Sequence, residues 1–295
     1  IFCRYSGPNA DAMLRWCRAN AIPTIFHIDD DLLAVPTELG EQKFRMHNDP
    51  ARLGTIRTLT ADADLLYCVN PVMLERLAPL RGAKPSYLGQ IANSGDPVKD
   101  PPSGRTQRIG YMGIAHAHDL APLVPVIAKL LDQRPELEFH FFGTTPKPPE
   151  WARFGERIVE TPPSVDYASF RSTFAGLDWG IGIAPLLRIP FNLGKTNLKW
   201  VDYTAVGVAT VASRGTLFDA CCADGCGLLA ETPEEWLAAL EFLLDHPDER
   251  IAMVRRAQER ARREYSRERL RQQVPEALDA ADAALAARAR EGRQA

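Results

Sequence analysis

Short apolar runs of β type alternate with amphipathic stretches of helical period along most of the chain. Such alternation predicts parallel sheets covered by helices and disfavours sandwiches and helix bundles. We therefore predict an α/β protein with two Rossmann-like lobes. In the first lobe, strands are predicted at residues 1–3, 24–28 and 65–69 and more weakly at 86–88, and helices at 10–20, 51–61 and 71–78. In the second lobe, strands are predicted at residues 108–112, 138–142, 157–159, 179–184 and 209–212, and helices at 120–131, 167–175, 195–205, 233–244 and 248–264.

A break in this pattern predicts the domain organisation. Residues 96–107 are dense in proline, glycine and charge and have no apolar period, as expected of a linker. The prediction is a partial first lobe over residues 1–95, a complete second lobe over 108–265 and a C-terminal helix over 266–295. The first lobe has few strands and the sequence opens on an apolar segment without Met, so we expect a chain truncated at its N-terminus.

Composition excludes several classes of function. Apolar residues make up 45% of the chain and the formal net charge is −3, so the balance is that of a globular protein without a basic field for nucleic acid. No apolar run approaches a membrane span, which favours the cytoplasm. Six cysteines are present without paired metal-ligand spacing. We expect no metal and no cofactor.

Candidate ligand-binding residues follow the predicted strands, because ligands bind at the carboxyl ends of open parallel sheets. Gly113 ends the strand that opens the second lobe, and glycine there lets an anion approach the backbone and the next helix start. His116 and His118 lie in the following loop, where ligand contact and plain exposure are equally open. Asp119 is a ligand contact or a helix N-cap.

A second stretch, after the predicted strand at 179–184, is richer in candidates. Lys195 and Thr196 are predicted to open a helix and to present amide, hydroxyl and ammonium groups to a diphosphate. Lys195, Lys199 and Asp202 are spaced four and three residues apart and so share one helix face. A solvated Lys–Asp pair on a surface helix is the alternative.

The run from Lys195 to Ser213 (KTNLKWVDYTAVGVATVAS) resembles the donor-site helix and following strand of GT-B glycosyltransferases, family 4-like, of the bacterial polysaccharide and O-antigen type. The acidic residue of that motif binds the ribose hydroxyls, and Asp202 is its counterpart. The segment DGCGLL at residues 224–229 and the loop with His116 and Asp119 are also similar to that group. The family's first acid falls on Gly194, so Asn192 or Lys195 is expected to substitute for it.

Three carboxylates, Asp29, Asp30 and Asp31, follow a first-lobe strand. Such a run suits a divalent cation, but the resemblance implies a metal-independent enzyme that stabilises its leaving diphosphate with protein cations. The resembling subgroup has an acidic run here that faces the cleft, so an acceptor-side role is expected. A helix or turn cap is the alternative.

The resemblance thus implies a retaining glycosyltransferase that moves a sugar from a nucleotide-diphosphate donor to a saccharide or lipid-linked acceptor in surface polysaccharide synthesis. Lys195 and Asp202 are the predicted catalytic residues. A lipid-linked acceptor implies at most peripheral association with the inner face of the membrane. The alternative is a non-catalytic nucleotide- or glycan-binding lobe of a larger protein, and an epimerase or phosphorylase is a weaker one. The full set of predicted donor-binding residues is Gly113, His116, Asp119, Asn192, Lys195, Thr196, Lys199 and Asp202.

Overall fold

The computed structural model describes residues 1–90, 95–114 and 116–294, the last four of these as backbone only. The chain forms two compact units. Unit 1 comprises Ile1–Ala92, Ile189–Thr196 and Glu268–Ala295, and unit 2 comprises Asn93–Arg188 and Asn197–Arg267. No helix among the described residues is both long and apolar enough to cross a lipid bilayer.

The strands are close to those predicted. In chain order they are β1 (Phe2–Cys3), β2 (Ile25–Ile28), β3 (Leu65–Cys68), β4 (Ser86–Leu88), β5 (Arg108–Gly113), β6 (Glu138–Gly143), β7 (Ile158–Thr161), β8 (Ile181–Ala184), β9 (Ala209–Ser213) and β10 (Leu228–Ala230).

The helices include several short ones that the hydrophobic pattern did not predict. In chain order the α-helices are α1 (Ala10–Ala19), α2 (Glu41–His47), α3 (Pro50–Asp62), α4 (Pro71–Arg81), α5 (Ala117–Leu120), α6 (Val124–Gln133), α7 (Tyr167–Gly176), α8 (Pro190–Leu193), α9 (Leu198–Ala205), α10 (Phe218–Cys222), α11 (Pro233–Asp245), α12 (Pro247–Glu264) and α13 (Arg267–Gln294).

Unit 1 is built on a four-stranded parallel sheet in the order β1-β2-β3-β4. Alternate residues of a strand point to opposite faces, so Phe26 and Ile28 pack against α3 and α4 on one face. Ile25 and Leu65 pack on the other face against the small Ala277 and Ala281 of α13. Both faces of this sheet are therefore covered.

The boundaries of unit 1 correct the predicted domains in two places. Helix α13 belongs to unit 1, whereas the sequence predicted a separate C-terminal element. Residues 189–196, predicted within the second lobe, also belong to unit 1, where Phe191 is buried in its core. The predicted linker residues 96–107 belong to unit 2, where the buried Arg250 guanidinium donates to the carbonyls of Pro102 and Gly104 at 2.9 and 2.7 Å.

Unit 2 is built on a six-stranded parallel sheet in the order β10-β9-β8-β5-β6-β7. The chain runs outward from β5 through β6 to β7 and then returns to place β8 on the other side of β5. The order therefore reverses at β5, and such a reversal opens a crevice at the carboxyl ends of the strands. The two Rossmann-like sheets confirm the predicted fold class.

Helix α9 packs against this sheet through Tyr203, whose side chain is fully buried. A β-carbon added to Gly182 in β8 would lie 2.7 Å from the Tyr203 ring. We therefore expect Gly182→Ala to lower the free energy of unfolding by about 1–3 kcal/mol, since the ring is enclosed and cannot move aside. Urea unfolding measures this change, and Gly176→Ala, whose added β-carbon meets nothing within 4 Å, is the control. Equal stabilities of the two variants would contradict the expectation.

Candidate functional site

An open pocket of about 380 Å³ lies at the carboxyl ends of β5 and β6 in unit 2. Its volume falls in the range of about 300–1,000 Å³ that is usual for small-molecule sites. We call it the strand-end pocket. It is lined by Met112, Gly113, Ile114, His116, Phe142, Gly143, Pro163, Ser164, Tyr167, Phe170, Leu198, Lys199 and Asp202.

The floor of the strand-end pocket is formed where two strands end side by side. The carbonyl of Gly113 accepts hydrogen bonds from the Thr144 amide at 3.0 Å and from the Thr145 hydroxyl at 3.1 Å. Gly143 has a φ of 128°, a conformation that glycine adopts without strain. An added β-carbon on Gly143 would overlap the Gly113 carbonyl oxygen, so glycine at this position lets the two strand ends lie side by side, and both glycines line the pocket.

One wall is the first part of α9. Lys199 and Asp202 are three residues apart, so both side chains lie on the helix face that lines the pocket. The Tyr203 hydroxyl donates to the Ile183 carbonyl at 2.9 Å and accepts from the Met112 amide at 3.1 Å. This pair of bonds fixes α9 against β8 and β5. The Nζ atom of Lys199 lies 5.5 Å from the centroid of the Tyr111 ring.

A second wall of the strand-end pocket is aromatic. Phe142 and Phe170 are stacked with ring centroids 5.2 Å apart, and Tyr167 continues the stack 5.9 Å beyond Phe170. Burial raises the pKa of the Tyr167 phenol, and the negative charge of Asp202 raises it further. The Tyr167 ring and the Asp202 carboxylate thus face one pocket from two sides.

The aromatic wall was not predicted from the sequence. Phe142 was assigned only to a strand, and Tyr167 and Phe170 only to a helix. A usable signal was present, since Phe142 is near the end of a predicted strand and Tyr167 directly follows the N-cap residue Asp166. Both are positions where ligand-binding residues gather in open parallel sheets.

The structure excludes one of the two roles predicted for Asp119, that of a helix N-cap. The N-cap of α5 is His116, and Asp119 lies inside that helix, so it is not an N-cap. Its carboxylate is buried, and Oδ1 accepts from the Leu187 amide at 3.0 Å. The His116 carbonyl accepts from the Tyr111 hydroxyl at 3.2 Å. Ala115, in the middle of the predicted loop motif, lies outside the described residues.

The two histidines at the start of α5 lie close to the same carboxylate oxygen. His116 Nδ1 lies 3.6 Å and His118 Nε2 lies 3.5 Å from Asp119 Oδ2. The three ligand atoms lie within 4.8 Å of one another, so the described residues include one group that could hold a metal ion. The sequence predicted no metal here, and the only metal ligands it suggested for consideration were the cysteines and the Asp29–Asp31 run.

The predicted diphosphate-binding helix begins later than expected. Helix α9 begins at Leu198, so Lys195 and Thr196 do not open it. The reason is Asn70, whose side-chain amide donates to the carbonyls of Leu193 and Lys195 at 3.1 and 2.7 Å. Those carbonyls are thereby held by unit 1, and Lys195 does not share the helix face of Lys199 and Asp202.

The remaining candidates of this segment are described with unit 1. Asn192 is fully buried in α8. The Nζ atom of Lys195 lies 5.0 Å from the centroid of the Phe191 ring. Thr196 is the last residue of the segment that belongs to unit 1. Their predicted donor contacts, and the catalytic role of Lys195, stay predictions.

The acidic run after β2 forms ion pairs within unit 1. Arg4 pairs with Asp29 at 3.3 Å and with Asp30 at 2.8 Å, while Arg76 pairs with the buried Asp31 at 2.7 Å. Burial raises the pKa of Asp30, although the Arg4 cation opposes that rise. Asp31 Oδ1 also accepts from the Leu33 amide at 3.2 Å. A turn-capping role is thus present for Asp31, and the acceptor-side role of all three stays a prediction.

Gly194, at the position of the resembling family's first acid, lies close to two side chains of unit 1. An added β-carbon would lie 2.7 Å from Met73 Sδ and 3.2 Å from Asp31 Cβ. A side chain at this position therefore requires the Met73 side chain to shift.

Comparisons with known proteins identify the family and the fold. The sequence profile of a family described as glycosyl transferase-like matches residues 125–275, just over half of the chain. The chain belongs to this family. It is therefore an enzyme of the glycosyltransferase class with a GT-B fold. A search of the curated proteins found none that matches it.

Several solved glycosyltransferases share the fold of this family member. HepE from Anabaena, solved with UDP and glucose, has a TM-score of 0.65 at 13% identity, over 92% of this chain and 75% of its own. The pneumococcal O-GlcNAc transferase GtfA, solved with UDP and GlcNAc, has a TM-score of 0.64 at 10% identity over 92% and 54%. Sucrose-phosphate synthase from Thermosynechococcus elongatus has a TM-score of 0.61 at 12% identity over 90% and 75%.

Proposed function

We propose that the strand-end pocket binds the nucleoside diphosphate of a nucleotide-sugar donor. The observation that carries this proposal is the meeting, in one pocket, of two bare glycine strand ends, a cation, a carboxylate and a stacked aromatic wall. Each part matches one part of the donor. The aromatic wall offers a flat surface to the base, Asp202 accepts from the ribose hydroxyls, and Lys199 with the amides near Gly113 holds the diphosphate.

These groups account for the chemistry of sugar transfer. The bond between the sugar's anomeric carbon and the diphosphate oxygen breaks, a bond from that carbon to the acceptor hydroxyl oxygen forms, and the leaving diphosphate takes up the hydroxyl proton. Negative charge grows on the leaving diphosphate in the transition state, and a fixed cation at that place stabilises the transition state more than the ground state. Lys199 is positioned for this task by α9, which Tyr203 anchors to β8 and β5.

Three finer features of the proposal follow from the resemblance of the sequence to GT-B glycosyltransferases of the polysaccharide and O-antigen type. The transfer retains the anomeric configuration and needs no divalent cation or other cofactor. The acceptor is a saccharide or lipid-linked saccharide of a surface polysaccharide, with the Asp29–Asp31 run on the acceptor side. A lipid-linked acceptor brings the enzyme to the inner face of the membrane without a spanning segment.

UDP is the first nucleotide to test, since HepE and GtfA were both solved with it. The experiment is a calorimetric titration of the wild type and of Asp202→Asn with UDP, GDP and TDP, each with and without EDTA. We expect one diphosphate to bind, to bind equally well in EDTA, and to lose about tenfold or more in affinity in the variant, since a charge-assisted hydrogen bond contributes about 1.5–3 kcal/mol.

The matched control is Asp248→Asn, which removes an exposed carboxylate from the first turn of α12. It should bind the same diphosphate as tightly as the wild type does. Failure of all three diphosphates to bind folded protein, or equal binding by Asp202→Asn, would overturn the assignment of the strand-end pocket.

Turnover of a donor tests the transferase function directly. If UDP proves to be the diphosphate that binds, the measurement is release of UDP from UDP-glucose with a saccharide acceptor supplied. Turnover supports sugar transfer, and tight binding without turnover would contradict it and favour the non-catalytic nucleotide- or glycan-binding lobe that the sequence left as the alternative.

A further inference from the structure

We propose that His116, His118 and Asp119 form a zinc site at the edge of the strand-end pocket. The ligand atoms are His116 Nδ1, His118 Nε2 and Asp119 Oδ2, all within 4.8 Å of one another. Zinc binding by these residues does not depend on sugar transfer.

The spacing of the three atoms fits a shared ion. Zinc binds imidazole nitrogen and carboxylate oxygen at about 2.0–2.2 Å, so two ligands of a tetrahedral site lie roughly 3.4 Å apart. The two nitrogen-to-oxygen distances here are 3.6 and 3.5 Å. Both are longer than an ordinary hydrogen bond, and both are close to the edge of a zinc tetrahedron. Small side-chain rotations bring all three atoms to one centre.

The chemistry of the ligand set selects zinc over the hard cations. Two imidazoles and one carboxylate suit zinc and similar transition metals, whereas Mg²⁺ and Ca²⁺ favour sites made of oxygen alone. Three protein ligands also leave room for water or another ligand at the ion, as in zinc sites that are not purely structural.

Neighbouring groups hold the ligands in place. The Leu187 amide bonds Asp119 Oδ1, which leaves Oδ2 directed at the two rings. The Tyr111 hydroxyl and the Asp119 amide both donate to the His116 carbonyl, each at 3.2 Å, and so fix the loop backbone. Such outer contacts orient metal ligands and raise affinity.

The surroundings of the ligands also favour an ion. The side chains of His116, His118 and Asp119 are 24%, 14% and 1% exposed. Among the described residues, the buried Nε2 of His118 has no hydrogen-bond partner. A buried ring nitrogen without a partner loses stabilisation that a metal ion would restore.

The test uses the whole chain, stripped with EDTA and dialysed, in the absence of any nucleotide. Titration with Co²⁺ followed by visible absorption, and with Zn²⁺ followed by calorimetry, should show one ion bound. We expect His118→Gln and Asp119→Asn each to weaken Zn²⁺ binding at least tenfold. Asp119→Asn keeps an acceptor for the Leu187 amide, so the fold is retained. His246→Gln, which removes an exposed histidine remote in sequence from the cluster, should bind zinc as the wild type does.

Two results would overturn the zinc site. One is binding that is equal in the wild type and both ligand variants, or absent below millimolar Zn²⁺. The other is a thiolate-to-cobalt charge-transfer band, which would assign the ion to cysteines. A thermal melt separates these outcomes from misfolding. Without zinc the wild type and Asp119→Asn should both melt cooperatively, and excess Zn²⁺ should raise the melting temperature of the wild type more than that of the variant. Since no nucleotide is present, failure here leaves the donor-site proposal standing.

Discussion

Lys199→Met should lower the rate of donor turnover by about two to three orders of magnitude, the usual effect of removing one preorganised group that stabilises transition-state charge. Lys199 is the cation of α9 that lines the strand-end pocket together with Asp202. Methionine keeps the apolar stem and removes only the ammonium group, so the loss reports charge. The measurement is UDP release from UDP-glucose, with kcat and KM determined separately.

The kinetic constants and two further variants distinguish loss of the Lys199 charge from a general disturbance of the fold. A larger fall in kcat than in 1/KM is expected, because the charge on the leaving diphosphate develops in the transition state. Lys199→Arg should recover part of the rate, and Lys129→Met, on the exposed face of α6, should turn over donor as the wild type does. A rate for Lys199→Met within threefold of the wild type would remove Lys199 from the proposed mechanism.

The hydrophobic pattern was sufficient for the architecture. All four residues of β8 are buried. A short run of this kind is typical of a strand in a sheet covered on both faces, and it does not fit a surface helix. Asp202 could be found for a different reason, since it belongs to a local motif that includes its helix and the following strand. The structure places it in the strand-end pocket, which is where that motif implies a ligand.

The positions of Lys195 and of the aromatic wall could not be found in this way. Lys195 is kept out of α9 by Asn70, which is 125 residues away in the sequence. Phe142 and Tyr167 meet through the side chain of Phe170, and that arrangement depends on how α7 packs beside β6. Periodicity reports which face of an element is apolar. It does not show which distant side chain donates a hydrogen bond to a given backbone carbonyl, or which side chains from different elements pack together to line a pocket.

Gly143→Ala should both destabilise unit 2 and displace the strand ends that form the floor of the strand-end pocket. At a φ of 128° an alanine is strained, and its β-carbon would overlap the Gly113 carbonyl oxygen, which is backbone and cannot turn away. Strain and overlap each cost about 1–3 kcal/mol, so we expect a loss of roughly 2–6 kcal/mol in the free energy of unfolding. Urea unfolding measures the loss.

A second glycine separates the two causes. Gly155 has a φ of 56° and an added β-carbon there meets nothing within 4 Å, so Gly155→Ala carries the strain without the overlap. It should cost about 1–3 kcal/mol and leave the affinity for UDP unchanged. Gly143→Ala should cost more, and at a temperature where it is still folded it should bind UDP at least tenfold more weakly. Equal stabilities of the two variants would mean that β5 and β6 can separate at their carboxyl ends, and unchanged UDP affinity in Gly143→Ala would move the diphosphate away from these strand ends.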